Sequence, residues 1–240
     1  MSKKFIIVIL IPTIIFLSAF IFVQVRREGG VPHSRQEVES KLDKCLTVDY
    51  EYISTNVIDD SERTRDETET VYYFKDKNGL LFKVVSSYIF WGGYEMVAQK
   101  ESNCDYAEMW FMANQKDVDN VLAAYLHDNE YWLNDDENHY AKYWIRISNY
   151  DDLPKVADAV EAALTALPPL PIKKENYTIG EFDYSGIPTI GVLYNAEPKS
   201  NDDDNDVVLA WVDFYCEGDN TFDKEAFINE IEKGNVYESP

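Results

Sequence analysis

The hydrophobic pattern opens with one long unbroken run. Phe5 to Val25 is 21 residues without a formal charge, interrupted only by Pro12, Thr13, Ser18 and Gln24. As a helix rising 1.5 Å per residue it spans roughly 30 Å, the thickness of a bilayer's hydrocarbon core. Pro12 is tolerated in such a helix as a mild kink. A cleaved signal peptide has a shorter apolar region, about 7–15 residues, and ends at small residues. Leu17-Ser18-Ala19-Phe20 is a poor version of that site, so the run predicts an uncleaved transmembrane anchor. Lys3 and Lys4 before it nearly balance Arg26 and Arg27 after it, which leaves little bias from flanking charge. The short N-terminal tail and the large downstream region then set the orientation, with the N-terminus in the cytoplasm and the rest outside.

Beyond Gly29-Gly30-Val31-Pro32, a flexible exit, periodicity alternates between helical and strand-like. Ser34 with Glu37 three residues on matches a capping box, and Val38, Leu42, Cys45 and Leu46 follow at helical spacing, predicting a helix over 35–46. Val48 to Val57 alternates as a strand, and the polar run Asp59 to Thr70 reads as a loop. Val71–Phe74 and Leu80–Val85 flank Asp76-Lys77-Asn78-Gly79, a hairpin whose Asn-Gly supplies positive φ. Another strand is expected at Tyr94–Gln99, before a long helix capped by Asp105 and running to Leu126. That helix is expected to bury Trp110, Val118, Val121, Leu122 and Tyr125.

The second half repeats the alternation. Strands are expected at Glu130–Leu133 and His139–Ser148, then a helix capped by Asp152 with Pro154 in its first turn. Val156, Val160, Ala163, Leu164 and Leu167 form its apolar stripe, and Pro168-Pro169-Leu170-Pro171 stops it and imposes an extended segment. Strands at 177–184, 188–195 and 207–216 and a helix over Asp223–Lys233 complete the chain. Interspersed helices with mostly short strand connections predict an α+β fold: an N-terminal transmembrane helix followed by largely antiparallel sheets packed with helices. The expected division is 1–30 as anchor and linker, 31–128 as one α+β module and 129–240 as another, with 31–240 as one domain the alternative.

Two of these segments carry a resemblance. YYFKDKNGLLFKVVSS (Tyr72 to Ser87) followed by CDYAEMWF (Cys104 to Phe111) is similar to uncharacterised, single-pass membrane-anchored proteins of Gram-positive bacteria. The likeness covers residues 35–127 and rests on turn and packing residues. It implies an extracytoplasmic α+β module on a single anchor and carries no activity or functional residue with it.

Charge adds the next constraint. The chain has 22 Lys and Arg against 44 Asp and Glu, a net charge of -22. Residues 1–30 hold four of the basic residues and one acidic one, so residues 31–240 carry 18 positive and 43 negative charges, or -25. Nucleic acid is thereby excluded as a partner, because phosphate contacts need a basic surface. A basic protein or peptide fits instead, with the membrane as the second partner through residues 5–25.

Catalytic signatures are sparse. There is no G-x-S-x-G elbow, S-x-x-K or H-E-x-x-H, and the phosphate-loop and dinucleotide glycine motifs are missing. Cys216 lies in the apolar strand VVLAWVDFYC, the position of a packed small hydrophobe. Three cysteines, Cys45, Cys104 and Cys216, allow any one of three disulfides, or free buried thiols, which is the reading preferred. Asp202, Asp204 and Asp206 have the 1-3-5 spacing of a calcium loop, but Val207 stands where the sharp turn needs Gly. No cofactor is expected, with calcium on that acidic loop as the exception to test.

The densest aromatic stretch, Tyr131 to Tyr150, is more informative. Strand alternation puts Ala141, Tyr143, Ile145 and Ile147 on one face and Tyr140, Lys142, Trp144 and Arg146 on the other, where Trp132 joins them across the turn. Rings beside cations suit a sugar, a peptide or a partner protein. The plain alternative is a sheet covered on both sides, its rings part of the core. The function expected is an acidic, membrane-anchored extracytoplasmic binding protein, inhibitor- or immunity-like. The alternative is a cell-envelope hydrolase using Asp/Glu acid–base chemistry.

Overall fold

A computed structural model describes residues 17–18, 31–59, 68–90, 98–127, 130–134, 141–177, 182, 186–195, 206–219 and 221–238. Among these, no helix is long and apolar enough to cross a membrane. Apart from Leu17 and Ser18, the predicted span Phe5–Val25 lies outside the described residues.

The first half is a helix and a four-stranded meander. Helix α1 (Arg35–Cys45) begins on the predicted capping box: the Ser34 hydroxyl accepts from the Glu37 amide, and the Glu37 carboxylate accepts from the Ser34 amide. The Ser34 amide and the Ser34 hydroxyl both donate to that carboxylate and hold the Glu37 carboxyl down at about 2. Val38, Leu42 and Cys45 form its fully buried stripe. Strands β1 (Tyr50–Asp59), β2 (Thr68–Asp76), β3 (Leu81–Phe90) and β4 (Ala98–Cys104) pair antiparallel in chain order. Asp59 belongs to β1 and Thr68, Glu69 and Thr70 to β2, so both ends of the predicted loop are strand, and residues 60–67 lie outside the described residues.

The β2–β3 hairpin turns at the predicted place, with Gly79 at φ +94°. Asp76 ties it. Its Oδ1 accepts from the Asn78 and Leu80 amides, and its Oδ2 accepts from the Tyr106 hydroxyl. Helix α2 (Tyr106–Tyr125) follows, and Asp105 caps it by position only. Its carboxylate accepts from the Lys83 amide of β3 instead of from the helix. Trp110, Val118 and Leu122 are buried as expected, whereas Tyr125 is exposed.

The second half is a five-stranded sheet in the order β5 (Tyr131–Leu133), β6 (Ala141–Ile147), β7 (Thr189–Tyr194), β8 (Val207–Asp213), β9 (Tyr237–Glu238). It is mixed, where largely antiparallel sheets were expected. The β6–β7 and β8–β9 pairs are parallel, and each crosses over through a helix: α3 (Leu153–Thr165) and α4 (Lys224–Glu232). A parallel neighbour cannot be reached by a short turn, and the long 148–188 connection supplies the length that the crossover needs. Asp152 does not cap α3 with its side chain. Asn149 caps a 3-10 turn, Tyr150–Asp152, that runs into the helix. The predicted strand at 177–184 is replaced at its start by a helical turn, Lys174–Asn176, on which Tyr177 is fully buried.

Both sheets contribute to one buried cluster. Helix α2 packs on α3, and α3 on α4. Phe111 of α2 meets Tyr143 of β6 and Phe214 after β8 edge-on, at 5.8 and 5.4 Å between ring centres. The Pro-rich segment stitches the halves together. Ile172 bridges Leu46, Leu170 bridges Cys216, and the Lys173 amide donates to the Cys45 carbonyl at 2.7 Å. Farther on, the Tyr177 hydroxyl donates to the Cys104 carbonyl at 2.8 Å and accepts from the Ala107 amide at 3.2 Å.

Candidate functional site

Strand alternation gives the second sheet two unlike faces. Tyr143, Ile145, Ile147, Ile190, Val192, Ala210 and Val212 are buried on the face that carries the helices. The opposite face holds a single cross-strand row set by the register: Trp132 of β5 opposite Trp144 of β6, Trp144 beside Gly191 of β7, Gly191 opposite Trp211 of β8, and Trp211 beside Glu238 of β9. The three indoles are partly exposed. At about 4.8 Å per strand step, Trp132 and Trp211 stand roughly 14 Å apart.

Gly191 makes the row possible. A Cβ there would lie 2.2 and 2.4 Å from two carbons of the Trp144 six-membered ring, so the indole rests directly on the backbone of β7. From that position it meets Trp211 edge-on, with ring centres 5.0 Å apart and planes at 63°. The Arg146 guanidinium lies over Trp132, 4.7 Å from the ring centre. It also pairs with Asp206, whose carboxylate is only 8% exposed and accepts from the Asn195 side-chain amide at 2.8 Å.

Of the five residues singled out in the sequence, Trp132, Trp144 and Arg146 come together. Lys142 shares their strand but sends its ammonium to Glu108 of α2, 2.8 Å away. Tyr140 lies outside the described residues. Trp211 was missed. Its alternation within β8 was readable, but only the β7–β8 register places it on the same row as Trp144.

Charges around the face are spent locally. Lys142 and Arg146 are each matched by a carboxylate, so the face presents rings more than net charge. At the start of β5, burial works to raise the Glu130 carboxyl, but the His127 amide and the Lys155 ammonium outweigh it and hold it below the ordinary value. On the helix side, burial and the Asp119 carboxylate that accepts its proton push the Tyr143 phenol far above its usual range.

Calcium finds little here. Asp206 is committed to Arg146 and Asn195, while Asp202 and Asp204 lie outside the described residues. Among the described residues, no group of three or more His, Cys, Asp or Glu side chains is arranged to hold a metal. The three cysteines form no disulfide with one another and are buried, and burial pushes Cys104 and Cys216 up to about 12. Comparison with family models, with curated proteins and with solved structures found no match to this chain.

Proposed function

We propose that this chain is a membrane-anchored extracytoplasmic binding protein that captures a basic protein or peptide on the tryptophan row of its second sheet. The row itself carries the reading. Three partly exposed indoles from β5, β6 and β8 lie in one cross-strand row, and the cations beside them, Lys142 and Arg146, are paired with carboxylates. Ring quadrupoles attract Lys and Arg side chains, by about 0.5–2 kcal/mol per contact according to desolvation. An excess of 25 negative charges over residues 31–240 steers such a partner inward and speeds its encounter. Neutralisation of a basic toxin at the cell surface, as an inhibitor or immunity protein performs it, fits this chemistry. The uncharged run Phe5–Val25 would hold the module at the membrane.

The test is a fluorescence titration of the full chain in detergent with deca-arginine and with an uncharged peptide of equal length. Deca-arginine is expected to perturb tryptophan emission, less so in 500 mM salt, and not at all in a folded Trp144→Ala variant. Equal responses to both peptides, or unfolding of Trp144→Ala together with an unchanged titration of Trp211→Ala, would return these rings to the core. Protease shaving of intact cells checks the orientation: complete protection of the module would reverse it.

A further inference from the structure

The two sheets treat their edges differently. The second ends in strands of three and two residues, β5 and β9, too short to template another chain. In the first sheet, β4 carries Lys100 and is held against the entry to α1. There the Lys100 ammonium meets Glu37, and Ser102 bonds the His33 ring. The other edge, β1, is ten residues long and has β2 as its only neighbour among the described residues. It contains neither Lys nor Pro, and its one bulge sits at Ile53, leaving Ser54 to Asp59 in continuous register. Ile53 and Val57 are 48% and 60% exposed, so among the described residues nothing buries this stretch of the strand. An exposed strand of this length presents a row of backbone donors and acceptors directed outward.

Charge selects the occupant. Beside the start of β1, Glu39, Asp43, Asp49 and Tyr50 line an open hollow of about 560 Å³. Glu39 is already paired with Arg35 at 2.8 Å and Glu51 of the strand with Lys75 at 3.3 Å, which leaves Asp43 and Asp49 as the carboxylates to meet an incoming cation. A second copy would bring the same excess of negative charge to the edge, whereas a basic segment is complementary to it. We propose that β1 accepts an extended basic segment of a partner polypeptide as an added strand, with a Lys or Arg side chain seated in the hollow beside Tyr50. Backbone pairing supplies the affinity, and the acidic hollow supplies the preference for a basic sequence. This surface is separate from the tryptophan row and does not depend on it.

The probe is a fluorescein-labelled nine-residue peptide alternating Lys and Val, titrated onto the full chain in detergent. Hydrogen exchange follows the β1 amides alongside. Binding is expected with protection of the amides from Glu51 to Ile58. It should weaken at least tenfold when the five central peptide amides are N-methylated, when Glu replaces Lys, or in the Asp43→Lys, Asp49→Lys double variant. Equal binding of the N-methylated peptide to the unaltered chain would overturn strand addition. So would protection confined to β5, β6 and β8, which would assign the peptide to the tryptophan row instead. Protection of β1 that grows with protein concentration before any peptide is added would make the occupant a second copy and overturn the proposal as well.

Discussion

Gly191→Ala tests the tryptophan row at the point where packing is tightest. The added methyl carbon would lie 2.2, 2.4 and 3.0 Å from three carbons of the Trp144 ring. Carbon pairs are at their optimum near 3.5–4.0 Å, so the overlap exceeds 1 Å, and a planar ring has no flexible end to move aside. Trp144 must swing off β7, straining its rotamer and losing its edge contact with Trp211. Overpacking of this kind costs about 1–3 kcal/mol, and the lost ring pair about 0.5–1.5 kcal/mol. The replacement of Gly by Ala within a strand offsets about 0.5–1 kcal/mol of that. A net loss of about 0.5–4 kcal/mol lowers Tm by about 1–16 °C for a domain of this size. The assay is thermal unfolding of the full chain by circular dichroism, with the near-ultraviolet signal of the paired indoles as the local readout. The decisive measurement is a double-mutant cycle. Once Trp144→Ala has removed the ring, Gly191→Ala should become neutral or stabilising. Equal destabilisation in both backgrounds would refute the account, because the damage would then come from the backbone and not from the ring.

Three further outcomes follow from the same packing. Tyr177→Phe strands the buried Ala107 amide and Cys104 carbonyl, and should cost about 1–3 kcal/mol in denaturant unfolding; a loss below 0.5 kcal/mol would refute the tether. Cys45, Cys104 and Cys216 should resist a thiol reagent in the native chain and all react in denaturant, because burial holds two of them near 12 and covers the third; rapid native labelling of any one would contradict this. His33 is pushed below its ordinary value by burial and by Lys41 and Lys100, against the pull of Glu37. The unfolded chain therefore binds its proton first. The stability owed to neutral His33 is complete above about pH 6.5 and is lost as pH falls from there towards the folded value. His33→Gln should flatten the stability profile in that window alone, as read by Tm against pH; an unchanged slope would exclude His33 as its source.

What local chemistry dictates was legible in the residues. The capping box at Ser34 and Glu37, the Asn-Gly hairpin and the apolar stripe of α3 each depend on neighbours within a few positions, and each stands where periodicity placed it. The alternation around Trp144 likewise separated Tyr143 and Ile145 from the partly exposed face before any partner strand was known. Capping by Asp105 and Asp152 failed for different reasons. Asp105 answers an amide on a distant strand, and Asp152 is itself the last residue of the 3-10 turn that runs into α3.

Sequence alone therefore determined the four longer helices and most of the strands, the two faces of β6 and a net charge of -25 over residues 31–240, because periodicity and charge are properties of the chain itself. Tertiary structure decided the strand order, the parallel pairs, the joining of both halves through Tyr177 and the Pro-rich segment, and the alignment of Trp132, Trp144 and Trp211 over Gly191. These depend on register between strands far apart in the chain, and a slip of one residue would have turned every one of those rings to the other face.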